Sequence, residues 1–507
     1  MSLLGLDVGT TGCKAIAFDL DGNILSQAYR EYPLLHPRPD WSELDPELIW
    51  ASCRQVLAQA AQATPSDPVK ALSVSVQGEA VVPLDSHGHP LYNFSVSFDH
   101  RTIPQFEWWQ EHLGRDRIFQ ITGMPLHPMH SINKIIWFRE NMPEVFRAAT
   151  KFLCVEDFIN FRLGAAPAMD YSLAARTMAF DVVNKLWSSE MLKQADLDES
   201  LLATVYPSGT AVGEVSTKVR DEIGFSHPVV IATGGHDQPC GALGAGCVHP
   251  GQAMNATGTS DVLCATLDSP QLTPKMLEGN YACYPHVVEP LYVALAFNLT
   301  GGLLLRWYRD TLCWKEVQQA AAIGKDPYEL IIANASKRPA DAQILPHFVG
   351  SGTPTLDPRS RGVITGLTLG LSKADLSRAV LDSTNYEMKL NLDTMLAAGI
   401  TIRELRAIGG GAKSPFWLQL KADTTGLPVL SLKVSEATAL GAAILAGCAI
   451  GLFAHPAEAP RAMVHPVHRY DPDSSNHEIL QQKFLTFIQT YPRLKGLLHS
   501  LADRPGH

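Results

Sequence analysis

At 507 residues the chain is too long for a single hydrophobic core and should divide into two domains of comparable size. Its 46% hydrophobic and 18% charged content excludes a disordered or fibrous protein. A formal net charge of −10 argues against broad contact with nucleic acid or an anionic membrane, whose surfaces attract Lys and Arg, and leaves a small molecule as the expected partner.

The nine cysteines include no C-x-x-C pair and sit mostly in apolar surroundings such as residues 152–155 and 261–265, as buried thiols do in a reducing compartment. They read as structural and the protein as cytoplasmic. No cationic leader precedes the first apolar residues and no uninterrupted apolar run reaches about 18 residues, so neither a targeting signal nor a membrane span is expected. The eighteen histidines are scattered without metal-ligand spacing, and His36, His87 and His89 fall in turns rich in Pro and Gly.

Residues 3–19, followed by Asp21-Gly22-Asn23, read as a buried strand, a Gly9-Thr10-Thr11-Gly12 turn, a second strand and another tight turn, together a hairpin. The first turn is rich in backbone N–H groups and hydroxyls and is followed by Lys14, the groups a polyphosphate needs around its oxygens. Asp7 faces that turn from the strand end, where it can hold a magnesium ion through water. A plain hairpin with Asp7 capping the turn suits the same residues. Further on, residues 37–46 read as a loop entering a helix, with Asp45 as N-cap and Pro46 at its first position.

The apolar stretch 229–232 predicts a strand, Gly234 and Gly235 a tight turn that leaves room for a ligand, and the small residues after them a closely packed helix. Asp237 lies on that turn, where a carboxylate can take a proton from a substrate hydroxyl. Residues 252–265 repeat the opening design: a strand, the turn Gly258-Thr259-Ser260 and a strand. Two such hairpins about 250 residues apart suggest that each domain starts with the same phosphate-clasping unit. The domains are then 1–248 and 249–507, divided near His249-Pro250-Gly251, with a nucleotide in the cleft between them.

Asn298-Leu299-Thr300-Gly301-Gly302 forms a further glycine loop ahead of a helix-like run at 303–310. Gly409-Gly410-Gly411 follows a strand at 405–408 and precedes helical spacing at Trp417, Leu420, Lys421 and Thr424, so these glycines lie at a helix N-terminus. The small residues at 439–447 read as tight helix packing in the core, and 477–501 as a helix on the surface or at a dimer contact.

Taken together, these motifs resemble the FGGY family of carbohydrate kinases, within the actin-like ATPase superfamily. Two longer segments strengthen the resemblance: Met129-His130-Ser131-Ile132-Asn133-Lys134-Ile135-Ile136-Trp137-Phe138-Arg139-Glu140-Asn141, and Gly362-Val363-Ile364-Thr365-Gly366-Leu367 through Asp375-Leu376-Ser377-Arg378-Ala379-Val380-Leu381-Asp382. Both read as scaffold. The resemblance implies an α/β fold of two ribonuclease-H-like domains with a cleft between them, ATP as phosphoryl donor and Mg²⁺ as cofactor. By similarity Asp237 is the general base, and Asp7 supports the metal and triphosphate. Thr10, Thr11 and Lys14 form the first phosphate loop and Gly258, Thr259 and Ser260 the second, while Gly302, Gly411 and Ser414 hold the nucleotide. A homodimer is common among such proteins.

The acceptor pocket is expected around Gly78, Glu79, Asp99, Arg101, Asp237 and Gln238. Xylulokinases carry Gln-Met-His-Gly and Trp-Asn-Asp segments where this chain has Gln77-Gly78-Glu79-Ala80 and Ser97-Phe98-Asp99-His100-Arg101. They usually have Gly-Asp-Asn where it has His236-Asp237-Gln238. An acid at position 79 favours a neutral acceptor over an aldonate, unless Glu79 turns away to Arg101 or the backbone. A pentulose such as xylulose is the first expectation, and a short erythritol- or glycerol-like polyol or a linear signalling diol of the autoinducer type the second. A sugar- or ATP-binding regulator without turnover is the reading from another class.

Overall fold

The computed structural model describes residues 1–503. Strand β1 (Ser2–Val8) is apolar apart from Ser2 and Asp7 and buried along its length, as a central strand covered on both faces must be. It pairs antiparallel with β2 (Gly12–Phe18), and β2 in turn with β3 (Ile24–Glu31). On its other side β1 runs parallel to β4 (Val69–Val76). The sheet is completed by β5 (Ala211–Glu214) and β6 (Val230–His236), in the order β5-β6-β4-β1-β2-β3.

The second sheet repeats this plan. Its hairpin is β7 (Gln252–Thr257) and β8 (Asp261–Leu267), its outer strands β9 (Ala282–Pro285) and β10 (Tyr292–Asn298). Parallel strands β11 (Glu404–Ile408) and β12 (Val429–Leu432) extend the other side, and β13 (Pro466–Tyr470) closes the edge, in the order β9-β10-β8-β7-β11-β12-β13. In each sheet a hairpin begins the unit and its first strand is central. The result is two α/β ribonuclease-H-like domains forming a cleft.

Ten helices position the groups discussed below. Helix α1 (Pro46–Gln62) starts on Asp45, whose side chain accepts from Glu47 and Leu48 N–H, with Pro46 at its first turn as expected. It is followed by α2 (Ser131–Asn141), α3 (Val155–Leu163), α4 (Tyr171–Arg176) and α5 (Asp237–Gly244). The second half contributes α6 (Gly302–Leu312), α7 (Lys373–Ala397), α8 (Pro415–Thr425), α9 (Ala437–Ala449) and α10 (Ser474–Ala502). All nine cysteines are free, and all but Cys448 are buried. Among the described residues, no helix is long and apolar enough to cross a membrane.

Helix α9 is the small-residue run read as core, but the core it joins is that of the other sheet. It packs with Leu3, Ile16 and Phe18 of the first hairpin and with Cys240 and Leu243 of α5. The approach is so close that a Cβ on Gly5 would lie 1.9 Å from Ala439 O, and one on Gly441 would lie 1.9 Å from Cys240 O. Leu440, Ile444 and Leu445 are buried to 1% exposure or less, each stabilising this junction by roughly 1.5–3 kcal/mol.

One local expectation fails. Gly234 and Gly235 do not form a turn: they lie inside β6, which runs to His236 with a register shift between Ala232 and Gly235. Sterics, not a turn, require them, since a Cβ on Gly234 would lie 1.9 Å from Val74 O and one on Gly235 2.6 Å from Val287 Cγ1.

Candidate active site

Asp237 is the first residue of α5, directly after the irregular end of β6. That end is pinned from beneath. Glu156 of α3 accepts the Gly234 N–H at 2.7 Å and the Asp170 N–H at 3.1 Å, and Ser172 Oγ accepts the His236 N–H at 3.0 Å. Burial, and then the nearby Asp170 charge, pushes the Glu156 carboxyl far up, against the two backbone N–H groups it accepts. The Asp237 side chain is 32% exposed, while its Oδ1 is buried. Burial, then the charge of Asp7, pushes it up to about 7, with the Gln238 side chain and Arg176 pulling the other way.

Asp7 is the next-to-last residue of β1, cross-strand from Lys14. Burial raises its pKa, and a 3.2 Å hydrogen bond from Thr438 Oγ1 opposes the rise. Lys14 pairs with Glu436 at 2.6 Å, so both first-turn charges are met by residues at the N-terminus of α9. Gly9 N donates to Gly12 O at 3.0 Å to close the turn, and Thr10 Oγ1 donates to Gln77 Oε1 at 3.1 Å. Thr11 is exposed.

On the second sheet, three glycine loops meet. Gly258 N donates to Ser260 O at 2.9 Å, Gly302 N to Gly258 O at 2.7 Å and Gly301 N to Thr259 O at 3.0 Å, so the β7–β8 turn and the start of α6 form one unit. Gly409, with φ +78, turns the chain past Thr257 O, and a Cβ on Gly411 would lie 2.7 Å from Thr257 Cβ. Beneath them Lys421 donates to Thr257 Oγ1 at 2.8 Å and to Asn255 Oδ1. Gly258 and Thr259 are exposed, and a Cβ on Gly258 would meet nothing within 4 Å. Ser414 spends its hydroxyl as the N-cap of α8, accepting Trp417 N–H.

The predicted acceptor residues separate into two groups. Gly78, Glu79, Asp237 and Gln238 come together. Glu79 sits at φ +64, where a non-glycine residue is strained, and its carbonyl accepts from Lys134 Nζ at 2.7 Å and Ser131 Oγ at 3.0 Å. Its carboxylate pairs with Arg176, whose Nε lies 2.6 Å from Oε1, and not with Arg101. Asp99 has both oxygens committed to Arg101, and Oδ2 also accepts Ser42 N–H. Arg101 also reaches Glu43 at 2.7 Å and stacks 3.8 Å over the Trp41 ring. These three charges bracket the loops around Trp41 and leave Asp99 no lone pair directed to a ligand, while Arg101 Nη1 is buried without a partner. Asp237 Oδ1 and Gln238 Oε1 are likewise without a hydrogen-bond partner.

Several participants escaped the sequence reading: Arg176, Tyr284, Glu436 and Thr438, and the functions of Lys134 and Lys421. Only the last two left a trace, as lysines inside otherwise apolar helical stretches.

Two family models described as the N-terminal and C-terminal domains of the FGGY family of carbohydrate kinases match residues 2–244 and 253–450. The chain is 29% identical to the xylulose kinase of Staphylococcus epidermidis over 506 residues, 98% of each chain. It is 33% identical to the glycerol kinase of Koribacter versatilis, covering 97% of this chain and 98% of that one. A solved structure, the xyloylose kinase of Brucella ovis, superposes with a TM-score of 0.87 at 25% identity, over 98% of this chain and 100% of the other.

Proposed function

The chain belongs to the FGGY family of carbohydrate kinases, with the actin-like ATPase fold and ATP-dependent sugar or polyol kinase activity, and from that premise we propose that its acceptor is a small neutral sugar, a pentulose such as xylulose. One observation carries the choice: beside the raised carboxyl of Asp237, Gln238 Oε1 is an acceptor without a partner. A buried acceptor without a donor is unfavourable by about 1–3 kcal/mol, and a polyhydroxylated ligand supplies the donors. A carboxylate in their place adds repulsion. Glu79 contributes less to this discrimination than a free acid would, because Arg176 neutralises it. A short polyol is the second reading, favoured by the higher identity to the glycerol kinase than to the xylulose kinase.

In this reading Asp237 accepts the proton of the attacking hydroxyl, and its pKa of about 7 places it for base chemistry near neutral pH. Thr10, Thr11 and Lys14 face the triphosphate from one sheet, and Gly258, Thr259 and Ser260 from the other. Gly302 and Gly411 let the loops proposed to hold the nucleotide pack together, since a Cβ would lie 2.6 Å from Gly258 O at the first and 2.7 Å from Thr257 Cβ at the second. The turn at Gly258 suits ATP because it is exposed and a Cβ there would meet nothing within 4 Å, which leaves room for a polyphosphate beside the backbone. Among the described residues no three His, Cys, Asp or Glu side chains gather into a metal nest. Mg²⁺ takes one or two carboxylates and keeps its waters, so Asp7 fits as its support through water. The ion supplies neutralisation of charge on the transferring phosphoryl group.

The test is ADP release with Mg-ATP across ketoses, alditols, aldonates and linear diols, with Asp237→Ala as control. Turnover on a pentulose, lost in the control, is expected. Turnover on gluconate alone, or undiminished turnover in the control, overturns the reading.

A further inference from the structure

His236 precedes the base and is only 5% exposed. Its Nδ1 lies 2.9 Å from Tyr284 Oη, and its Nε2 lies 3.2 Å from Asp237 Oδ1 without hydrogen-bond alignment. Tyr284 belongs to β9 of the second sheet and is fully buried. A side chain of one domain thus reaches the residue adjoining the base of the other.

Burial, and then the nearby Arg176 cation, drives His236 well below the usual imidazole range, while burial lifts Tyr284 far above that of a phenol. Both are neutral. A neutral imidazole has one N–H, and its location is set by what the other nitrogen meets. Two arrangements satisfy the 2.9 Å contact. If Nδ1 donates to the Tyr284 oxygen, the Nε2 lone pair faces the Asp237 carboxylate and repels it. If the Tyr284 hydroxyl donates to Nδ1, the proton sits on Nε2 and faces that carboxylate.

The Asp237 oxygen 3.2 Å from Nε2 favours the second arrangement, and the surroundings keep the imidazole neutral. Arg176 stands 5.5 Å from the Tyr284 ring centroid, where a cation disfavours a charged imidazole, and is itself held by Glu79. Asp7 adds a further negative charge near Asp237. Space for the ring exists because residue 78 is glycine: a Cβ there would lie 3.1 Å from both Cδ2 and Nε2 of His236.

We propose that Tyr284 is a positioning residue for phosphoryl transfer: its hydroxyl donates to His236 Nδ1, fixing the imidazole proton on Nε2 so that it holds the Asp237 carboxylate in the rotamer that meets the acceptor hydroxyl. This rests on Asp237 being the base. Oδ1, buried against the imidazole, takes Nε2–H, which leaves the exposed Oδ2 for the incoming proton, and no proton passes to His236. The bent contact straightens when acceptor binds, as catalytic hydrogen bonds commonly do.

Imidazole ¹⁵N shifts test the arrangement without turnover, His236 being assigned by the signal lost in His236→Asn. The wild type should show the Nε2–H tautomer, and Tyr284→Phe a mixture. Kinetically, Tyr284→Phe should lower kcat on the order of tenfold, a charge-assisted hydrogen bond's worth, with KM for ATP within about twofold. Added to His236→Asn, it should lower kcat no further. An Nδ1–H tautomer in the wild type, an unchanged kcat in Tyr284→Phe, or additive losses in the double variant overturn the proposal. A wild type inactive on every acceptor would instead refute the kinase reading, and the tautomer would still decide this one.

Discussion

The elevated carboxyl of Asp237 can be tested with pH alone. With a pKa of about 7 in the free protein, about one-eleventh of the molecules carry an ionised base at pH 6 and about ten-elevenths at pH 8. With both substrates far below saturation, kcat/KM should therefore rise roughly tenfold over that interval and level off above it. Coupled detection of ADP measures this directly. Asp237→Asn removes proton acceptance and should lower the rate about 10²–10⁴-fold, or about 2.7–5.4 kcal/mol of barrier. The same shift acts on stability with a definite sign. The folded protein holds this proton more tightly than the unfolded chain, so stability declines as pH rises from the ordinary carboxylate range through about 7. Because the side chain is partly open to solvent, screening reduces the size of the effect but not its direction. Asp237→Asn should melt above the wild type at pH 8, and by a smaller margin at pH 5. A kcat/KM that is flat between pH 6 and 8, or an Asn variant retaining a tenth of the activity, would refute the reasoning.

Lys134→Met removes one of the two donors holding the strained Glu79 carbonyl; KM for the acceptor should rise about tenfold with KM for ATP unchanged, as befits a lost charged hydrogen bond. Lys421→Met withdraws the support under Thr257, and steady-state kinetics should show the reverse, a raised KM for ATP and an unaltered acceptor KM. Gly441→Ala places a Cβ 1.9 Å from Cys240 O, forcing α5 and α9 apart; denaturant unfolding should report a loss on the order of 3 kcal/mol, typical of backbone overpacking.

Both hairpins were legible because alternation and a Gly-hydroxyl turn are local properties, and the helix after Asp45 was legible for the same reason. The glycine-flanked neighbourhood of Asp237 makes it a candidate base, although the glycines there serve strand packing. What pairs with what was not legible. Lys14 meets Glu436 across 422 positions of sequence, Glu79 meets Arg176 across 97 and His236 meets Tyr284 across 48. No periodicity registers such partners, because each depends on how whole elements stack. Asp99 and Arg101 illustrate the converse. Their residue types suited a sugar pocket, yet two positions apart they satisfy each other, with Glu43 as third member.

The placement of α9 has a consequence for biosynthesis. The first sheet is fully translated once His236 is made, but the helix that seals one of its faces ends at Ala449. At roughly 5–20 residues per second, a ribosome takes about 10–40 s to cover that distance. Throughout this interval the nascent chain exposes the apolar surface of Leu3, Ile16, Phe18 and Leu243. A chain stalled before Ala437 should accordingly stay bound to chaperone and be cut readily by protease, and only emergence of the last small-residue helix should release it into a resistant fold.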